Sequence, residues 1–345
     1  MDSSIALILL QDGIVNGAIY ALLGMALVLV FAVTRVIFIP QGEFVAFGAL
    51  TLAMLVDGRV PGTAELLPVL GALTMLVECL RAYRQSDYSG LPRAALGFVI
   101  YPLAVYFAMP WLVSPDRALG LNMLITLLLV VPMGPMVYRL VYQPLAEATV
   151  LVLLIVSVAL HFALMGLALA FFGAEGWRVP AFVSGQFALG PMTWSGQSVF
   201  VIGVCAALIV ALWLFFGRTL YGRALRATAV NRRGARLVGI STSMSGNLTF
   251  TLAVAIGAIS GMLIAPLTTI YYDTGFLIGL KGFVGAIIGG LFSYPIAAAG
   301  AVLVGVLEAF ASFWASAYKE VIVFTLIIPV LLWRSFGAKH GDDEE

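Results

Sequence analysis

Uncharged apolar runs of about the length that spans a bilayer recur along the whole chain. A helical span needs roughly 20 apolar residues, because the hydrocarbon core is about 30 Å thick. The composition agrees, since 62% of the 345 residues are hydrophobic, 10% are charged, and the mean hydropathy is +1.08. A soluble domain of this size could not hide such a chain from water. The pattern predicts a polytopic membrane protein and argues against a soluble enzyme or a secreted scaffold.

The apolar runs do not show the alternation that is typical of barrel strands, so we expect the spans to be helices. Their predicted positions are near 5–33, 36–56, 66–80, 95–113, 119–138, 149–172, 196–216, 247–271, 276–293, 295–315 and 320–334. Short glycine-rich segments such as 276–293 are expected to be broken or re-entrant. The sequence thus predicts an all-α membrane protein with about nine to eleven transmembrane helices in a single domain over 1–345.

The basic residues predict the orientation, because cytoplasmic loops carry an excess of Lys and Arg. The connection over 217–245 has six arginines and no acidic residue, which places it in the cytoplasm. The arginines are Arg218, Arg223, Arg226, Arg232, Arg233 and Arg236. Counting spans outward places the other loops alternately inside (81–93 and 139–149) and outside (57–65, 114–118 and 173–195). The same count puts the N-terminus outside and the C-terminus, with an acidic tail over 335–345, inside.

The arginine-rich connection permits two interpretations. Its basic residues could anchor the adjoining spans or bind anionic lipid headgroups. Anchoring does not require the alanine-rich stretch 224–229, which we expect to form a short helix, or the apolar residues 237–240 that follow it. A helix lying at the cytoplasmic face with small residues exposed suits a docking surface for another protein, which the pattern favours.

This connection resembles that of the permease subunits of branched-chain amino acid ABC importers, a family with related members for urea and short amides. The matching residues are Gly-Arg-Ala-Leu-Arg-Ala at 222–227 and Ala-Arg-Leu-Val-Gly-Ile at 235–240. Further similar segments are Asn-Gly-Ala-Ile-Tyr-Ala-Leu at 16–22, Ile-Pro-Gln-Gly-Glu at 39–43, Arg-Leu-Val-Tyr-Gln-Pro-Leu at 139–145 and Gly-Leu-Lys-Gly-Phe at 279–283. The resemblance covers roughly 10–56 and 132–334. Between 57 and 118 the chain departs from it, with two additional spans that form an expected extra helical hairpin.

The resemblance implies an ABC importer permease fold, in which 217–245 is the cytoplasmic coupling loop that seats on the ATPase subunits. The residues that match this loop are Gly222, Arg223, Ala224, Arg226, Ala227, Arg232, Arg233, Leu237 and Gly239. It also implies a bacterial inner membrane, a second related permease subunit or a homodimer, and a periplasmic substrate-binding protein at the outer face near 173–195 and 272–275. The implied substrates are branched-chain or other hydrophobic amino acids, or urea and short amides.

Charged residues within the spans require a reason, because a charge at the centre of a helix costs about 2.5–3.5 kcal/mol on insertion scales. Glu43 follows Pro40 and Gly42, which predicts a broken helix lining a cavity. Three interpretations of Lys281 remain open: extension to the outer interface, an ion pair with Glu43 or Asp273, or a place on the substrate path. The candidate substrate-pathway residues are Asn16, Gln41, Glu43, Asp273 and Lys281.

Other chemistry finds little support in the sequence. Glu308 and His161 lie within spans and are expected to form hydrogen bonds between helices, since His161 has no evident acidic partner. No P-loop motif is present, so energy is expected from partner ATPases or, as an alternative, from an ion gradient acting on Glu43, Asp273 and Lys281. A lipid-acting enzyme with His161 as base lacks a clustered nucleophile.

Metal, cofactor and nucleic-acid binding are also not expected. Cys79 and Cys205 are the two cysteines, too few for a tetrahedral metal site. The net charge of +1 gives no overall attraction for nucleic acid. We therefore expect a transport subunit, in contact with membrane lipid, that holds neither a metal nor a cofactor.

Overall fold

The computed structural model describes residues 3–115, 117–189 and 192–337, and these are almost entirely helical. The helices are α1 (Ser3–Thr34), α2 (Gln41–Val56), α3 (Thr63–Gln85), α4 (Leu91–Leu112), α5 (Leu119–Tyr142), α6 (Val150–Phe172), α7 (Gly196–Arg218), α8 (Leu220–Val230), α9 (Arg232–Leu237), α10 (Thr242–Ile264), α11 (Thr274–Ile288), α12 (Tyr294–Trp314), α13 (Lys319–Thr325) and α14 (Ile327–Gly337). A short antiparallel hairpin of β1 (Gln186–Leu189) and β2 (Met192–Ser195) lies between α6 and α7.

Within the described residues, eight helices are long and apolar enough to cross a membrane: α1, α3, α4, α5, α6, α7, α10 and α12. Two further apolar helices, α2 and α11, are shorter. The predicted class, an all-α polytopic membrane protein, is confirmed. Two predicted spans differ in detail. The run at 36–56 becomes helical only at Gln41, and the run at 320–334 is divided between α13 and α14.

The loops lie at two opposite ends of the bundle. At one end, which we call the basic end, Arg81 donates to Gln143 (3.1 Å), Gln143 donates to Ser243 (2.7 Å), and Arg232 reaches the carbonyl of Ala146. These contacts join the loops 81–93, 139–149 and 217–245. At the opposite end, Arg59 lies 5.2 Å from the ring of Trp177, whose backbone pairs with Ile270. The division of the loops into two groups therefore agrees with the alternation predicted from charge.

α1 is the central helix of the bundle, and it packs along α12 through small residues. A Cβ added at Gly13 or Gly17 would lie 2.6–2.7 Å from the backbone of Val306 or Val302. Gly305 makes the same close approach from α12. Small residues allow helix backbones to approach closely in lipid, where packing rather than hydrophobic burial drives association. This close packing holds α1 and α12 together, and α11 also packs against α1.

The helices α2 and α11 are half-helices whose N-termini meet inside the bundle. The chain leaves α1 at the basic end, where Arg35 lies 5.4 Å from the ring of Phe292, and residues 35–40 return into the interior without helical structure. Gln41 then starts α2 beside the middle of α10, donating to the carbonyl of Ala253 at 2.9 Å. Irregular backbone at membrane depth is tolerated only where protein covers it, and Phe38 in this segment is fully buried.

The first turns of the two half-helices are in direct backbone contact. A Cβ at Gly42 would collide with the carbonyl oxygen of Gly275, and a Cβ at Gly279 would lie 2.8 Å from the Cα of Gly42. From this junction α2 runs to the opposite end and α11 runs to the basic end. With 16 and 15 residues, they are about 24 Å and 22 Å long, so each is shorter than the hydrocarbon core. The broken helix expected at Glu43 is thus present, with a partner in the glycine-rich segment.

The segment 57–118 contains two helices, α3 and α4, joined by the short loop 86–90. They pack closely because Gly71 lies directly against the carbonyl oxygen of Phe98, and the ring of Pro102 is adjacent. α4 includes a π-helical turn at Leu96–Ile100, and Phe98 lies within this turn. The predicted acidic tail falls mostly on 338–345, outside the described residues.

Candidate functional site

The most deeply buried pair of ionisable side chains among the described residues lies at the half-helix junction. Glu43, in the first turn of α2, is 1% exposed, and its Oε1 lies 2.7 Å from Nδ1 of His161 on α6. The imidazole stacks on Phe276 of α11, with ring centroids 4.2 Å apart. The second carboxylate oxygen of Glu43 has no hydrogen-bond partner in the described part of the chain. His161 therefore does have an acidic partner, contrary to the expectation from sequence.

The position of Glu43 also has an electrostatic basis. The N-terminus of a helix carries about half a positive charge, so a carboxylate in the first turn is stabilised. Here the N-terminal turns of α2 and α11 both lie beside the carboxylate, since Gly42 contacts Gly275 and Gly279. Two helix dipoles and one imidazole together offset the cost of burying Glu43. The arrangement joins α2, α6 and α11 at a single point.

We expect Glu43 and His161 to be energetically coupled. In a double-mutant cycle of Glu43→Gln and His161→Phe, where the new ring can still stack on Phe276, the coupling energy should be about 1–3 kcal/mol. Thermal unfolding of the detergent-solubilised protein, followed by size-exclusion chromatography, measures it. If the two changes in the free energy of unfolding are strictly additive, the side chains are not coupled, and each substitution acts only through its own packing.

A second ionic cluster surrounds Lys281. Its Nζ lies 2.5 Å from Oε1 of Glu308 on α12 and 3.2 Å from Oε1 of Glu320 on α13. Tyr20 of α1 donates to the other oxygen of Glu308 at 2.7 Å. Lys281 is 5% exposed, so it does not extend to the interface. Lys281 therefore pairs with Glu308 and Glu320. It does not pair with Glu43 or Asp273, the two partners predicted from the sequence.

The remaining pathway candidates do not join these clusters. Gln41 lies at the junction, where its amide nitrogen donates to Ala253 and its Oε1 has no partner in the described ranges. Asn16 is half-buried on α1, and Asp273 is exposed just before α11. The structure thus brings Gln41 and Glu43 together, keeps Lys281 in a separate cluster, and leaves Asn16 and Asp273 apart.

The arginine-rich connection forms two capped helices at the basic end. The side chain of Thr219 accepts from the backbone N–H of Gly222 (3.0 Å) at the start of α8, and that of Asn231 accepts from Gly234 (2.9 Å) at the start of α9. Such caps satisfy N–H groups that a helix start leaves unpaired. The predicted helix over 224–229 is therefore present and lies within α8.

One face of α8 is fixed to the bundle. Leu225 is 1% exposed and packs with Leu29 and Val33 at the end of α1. The hydroxyls of Thr228 and Ser245 are 3.1 Å apart, which ties α8 to α10. A displacement of α8 would therefore act on α1 and α10 together.

The other face of α8 and α9 is open. A groove of about 640 Å³ lies over it, lined by Arg223, Arg226, Ala227, Val230, Asn231, Gly234, Ala235 and Val238. Val230, Leu237 and Val238 are exposed by 87%, 88% and 76%. Arg233 and Gly239 are exposed as well, whereas Gly222 is buried, Ala224 is half-buried, and Arg232 is half-buried against Ala146. Six of the nine residues predicted for the coupling loop are thus exposed, and three of them, Arg223, Arg226 and Ala227, line the groove.

Sequence reasoning missed a polar network that joins α3 to this region. Glu78 on α3 accepts from Arg81 (3.3 Å) and from Arg139 (3.2 Å) at the end of α5. Arg139 also donates to Asn247 of α10 at 3.3 Å. The spacing of Glu78 and Arg81, three residues apart on a helix, was the available local signal. The network fixes the α3–α4 hairpin to α5 and α10 at the basic end.

The family described as "Branched-chain amino acid transport system / permease component" matches residues 9–331. The chain belongs to this family. A relative is the high-affinity branched-chain amino acid transport system permease protein BraD of Pseudomonas aeruginosa, 31% identical over 211 residues, which are 59% of this chain and 69% of BraD. The corresponding LivH of Salmonella typhimurium is 30% identical over 59% of this chain and 68% of LivH.

Among solved structures, PsaBC from Streptococcus pneumoniae in complex with Fab aligns over 94% of this chain and 90% of that chain, at 11% identity and a TM-score of 0.37. Similarity at that level does not establish a shared fold. Membership of the permease family therefore depends on the sequence match, and the multi-pass architecture agrees with it.

Proposed function

We propose that this family member is the transmembrane permease subunit of a bacterial ABC importer for branched-chain or other hydrophobic amino acids. Transport is by alternating access, and partner ATPases that dock at the basic end drive it. The observation that supports this proposal best is the exposed surface of α8 and α9. It carries Val230 and Leu237, each nearly nine-tenths exposed, and also Arg223 and Arg226, which make no ion pair among the described residues. Exposed apolar residues rimmed by charge are typical of a protein-docking site.

The contacts of α8 suggest how a movement at the surface reaches the centre of the bundle. ATPase closure displaces α8, and the Thr228–Ser245 contact passes the displacement to α10. α10 in turn holds the start of α2, through the hydrogen bond from Gln41 to Ala253. The half-helix junction is therefore the element that we expect to move when the transport path closes to one side of the membrane and opens to the other.

The other parts of the proposed importer follow from the two ends of the bundle. With the basic end in the cytoplasm, the N-terminus is periplasmic and the acidic tail is cytoplasmic. A periplasmic substrate-binding protein would dock at the opposite end, where the β1–β2 hairpin and the Trp177–Ile270 pairing lie. A second related permease, or a second copy, would complete the membrane unit, and the hairpin over 57–118 is an addition to the family pattern.

Co-purification tests the docking surface. We expect the tagged chain in mild detergent to capture a stoichiometric ATPase from its native host. Arg223→Glu combined with Val230→Glu should abolish capture, because both residues line the groove over α8 and α9. The matched control is Arg93→Glu combined with Tyr88→Glu, which makes the same change in charge at exposed positions near the α3–α4 loop.

Equal capture by the two double variants would overturn the docking surface. A folded wild-type chain that captures no ATPase, and whose transport follows an ion gradient, would overturn the importer itself and favour a secondary transporter. Reconstituted uptake of leucine compared with urea and acetamide then assigns the substrate class, with leucine expected to be preferred.

A further inference from the structure

A second groove, which shares Arg226 with the docking groove, opens toward the membrane near the basic end. It has a volume of about 430 Å³ and lies between α7 and α12, with α1 and α10 behind it. Its walls are mainly apolar, with Trp213 and Phe216 on one side and Tyr294 and Ala298 on the other. The described lining residues include one charged side chain, that of Arg226 on α8.

The depth of the groove corresponds to one leaflet. From the basic end it reaches Met25, nine residues before the end of α1, and Ile209, nine residues before the end of α7. Nine residues of helix are about 14 Å, close to half of a hydrocarbon core about 30 Å thick. The groove thus extends from the interface to about the midplane, the length that an acyl chain occupies in a leaflet.

Arg226 provides a positive charge at the mouth of the groove, where a lipid headgroup would lie. Arg226 makes no ion pair with any described residue, and the whole connection 217–245 contains no acidic side chain. Trp213 beside it is 71% exposed, as is common for tryptophan at the level of the headgroups. A basic side chain above an apolar slot between helices is a typical arrangement for an anionic lipid headgroup.

We propose that this groove binds one anionic phospholipid, with an acyl chain between α7 and α12 and the phosphate on Arg226. Arg226 lies on α8, whose next turn carries Val230 of the docking surface. The bound lipid therefore holds α8 in register with α1 and α10 and makes ATPase docking depend on the lipid. This inference goes beyond the proposed function, and lipid binding itself can be measured without a substrate or an ATPase.

Native mass spectrometry of the purified chain, with added phosphatidylglycerol or phosphatidylcholine, tests the site. Arg226→Gln should reduce the preference for phosphatidylglycerol about tenfold, the loss expected for a hydrogen bond to a charged group. Arg223→Gln is the matched control, because it removes an equivalent charge from the same helix without lining this groove. It should leave the preference unchanged.

Filling the groove provides a test that leaves the charge in place. Ala298→Trp should remove bound lipid of both kinds, whereas Ala299→Trp, at the adjacent exposed position, should retain it. If the tryptophan variant does not fold, Ala298→Leu serves instead. Equal lipid retention by the variants at 298 and 299, or equal preference in the two arginine variants, would overturn the proposal.

Three further outcomes distinguish the lipid site, its effect on docking, and the proposed importer. The variant Ile209→Cys places a thiol in the groove. If this thiol forms a disulfide with a second permease chain when no lipid is bound, the groove belongs to a protein interface and the lipid site is overturned. Loss of lipid without any loss of ATPase capture would overturn the dependence of docking on lipid while leaving the docking surface intact. Failure of ATPase capture with normal lipid binding would instead contradict the proposed function alone.

Discussion

Lys281→Met should destabilise the folded protein by about 3–5 kcal/mol, the range measured when one partner of a buried ion pair is removed. Lys281 Nζ contacts Glu308 and Glu320, and the Lys281 and Glu308 side chains are 6% and 10% exposed. Without the ammonium group, two carboxylates would face each other in the bundle. Thermal unfolding in detergent, followed by tryptophan fluorescence, measures the loss.

Two comparisons isolate the cause. Lys319→Met removes a lysine near the same cluster that makes no ion pair among the described residues, and its effect should be small. Adding Glu308→Gln to Lys281→Met should recover part of the lost stability, because it removes one of the uncompensated charges. If the double variant were less stable than Lys281→Met, the cluster would be held by packing and not by its charges.

Gly42→Val should separate the two half-helices and cost about 3 kcal/mol, the upper end of the usual range for overpacking. The new side chain would meet the backbone of Gly275, and the Cα of Phe276 lies 3.1 Å from the added Cβ. Backbone cannot rotate away as a side chain can, so the first turns of α2 and α11 would move apart. The Glu43–His161 contact should weaken with them, and reconstituted transport should be lost.

Gly166→Ala is the matched control for this change. Gly166 lies in α6, and an added Cβ there meets nothing within 4 Å. Alanine favours a helix over glycine by about 0.5–1 kcal/mol, so this variant should be as stable as the wild type or slightly more stable. A tolerated Gly42→Val with full transport would show that the half-helices do not need their backbone contact.

The spans could be predicted from the sequence because the length of each apolar run determines them. The division of the loops between two ends could be predicted because arginine-rich and arginine-poor loops alternate. The partners of the buried charged residues could not be predicted. Glu43 and His161 are 118 positions apart, and Lys281 and Glu308 lie on successive helices, 27 positions apart. Which residues face each other depends on the rotation of each helix about its axis, and this is set by glycine contacts such as Gly285 against Ala301. Those contacts lie between elements, and the sequence does not show which helix each glycine faces.

The half-helix junction was partly visible in the sequence. Pro40 and Gly42 indicate a break before Glu43, and the glycines around Lys281 indicate another close backbone approach. Neither segment reveals that the other is its partner. The missing information is the contact of Gly42 with Gly275 and Gly279, which only the assembled bundle provides.

The pairing of the half-helices α2 and α11 also has a consequence for the synthesis of the protein. When the ribosome has completed α6, the start of α2 has neither α10 nor α11 to cover it, because both are still to be synthesised. Lipid cannot replace the carbonyl of Ala253 on α10, to which Gln41 donates, and it cannot cover the irregular backbone of residues 35–40 as protein does. α2 therefore reaches its final depth only late in synthesis, after the translocon has released the second half of the chain. A nascent chain that stops before Thr274 would therefore lack the half-helix that covers the start of α2 in the finished protein.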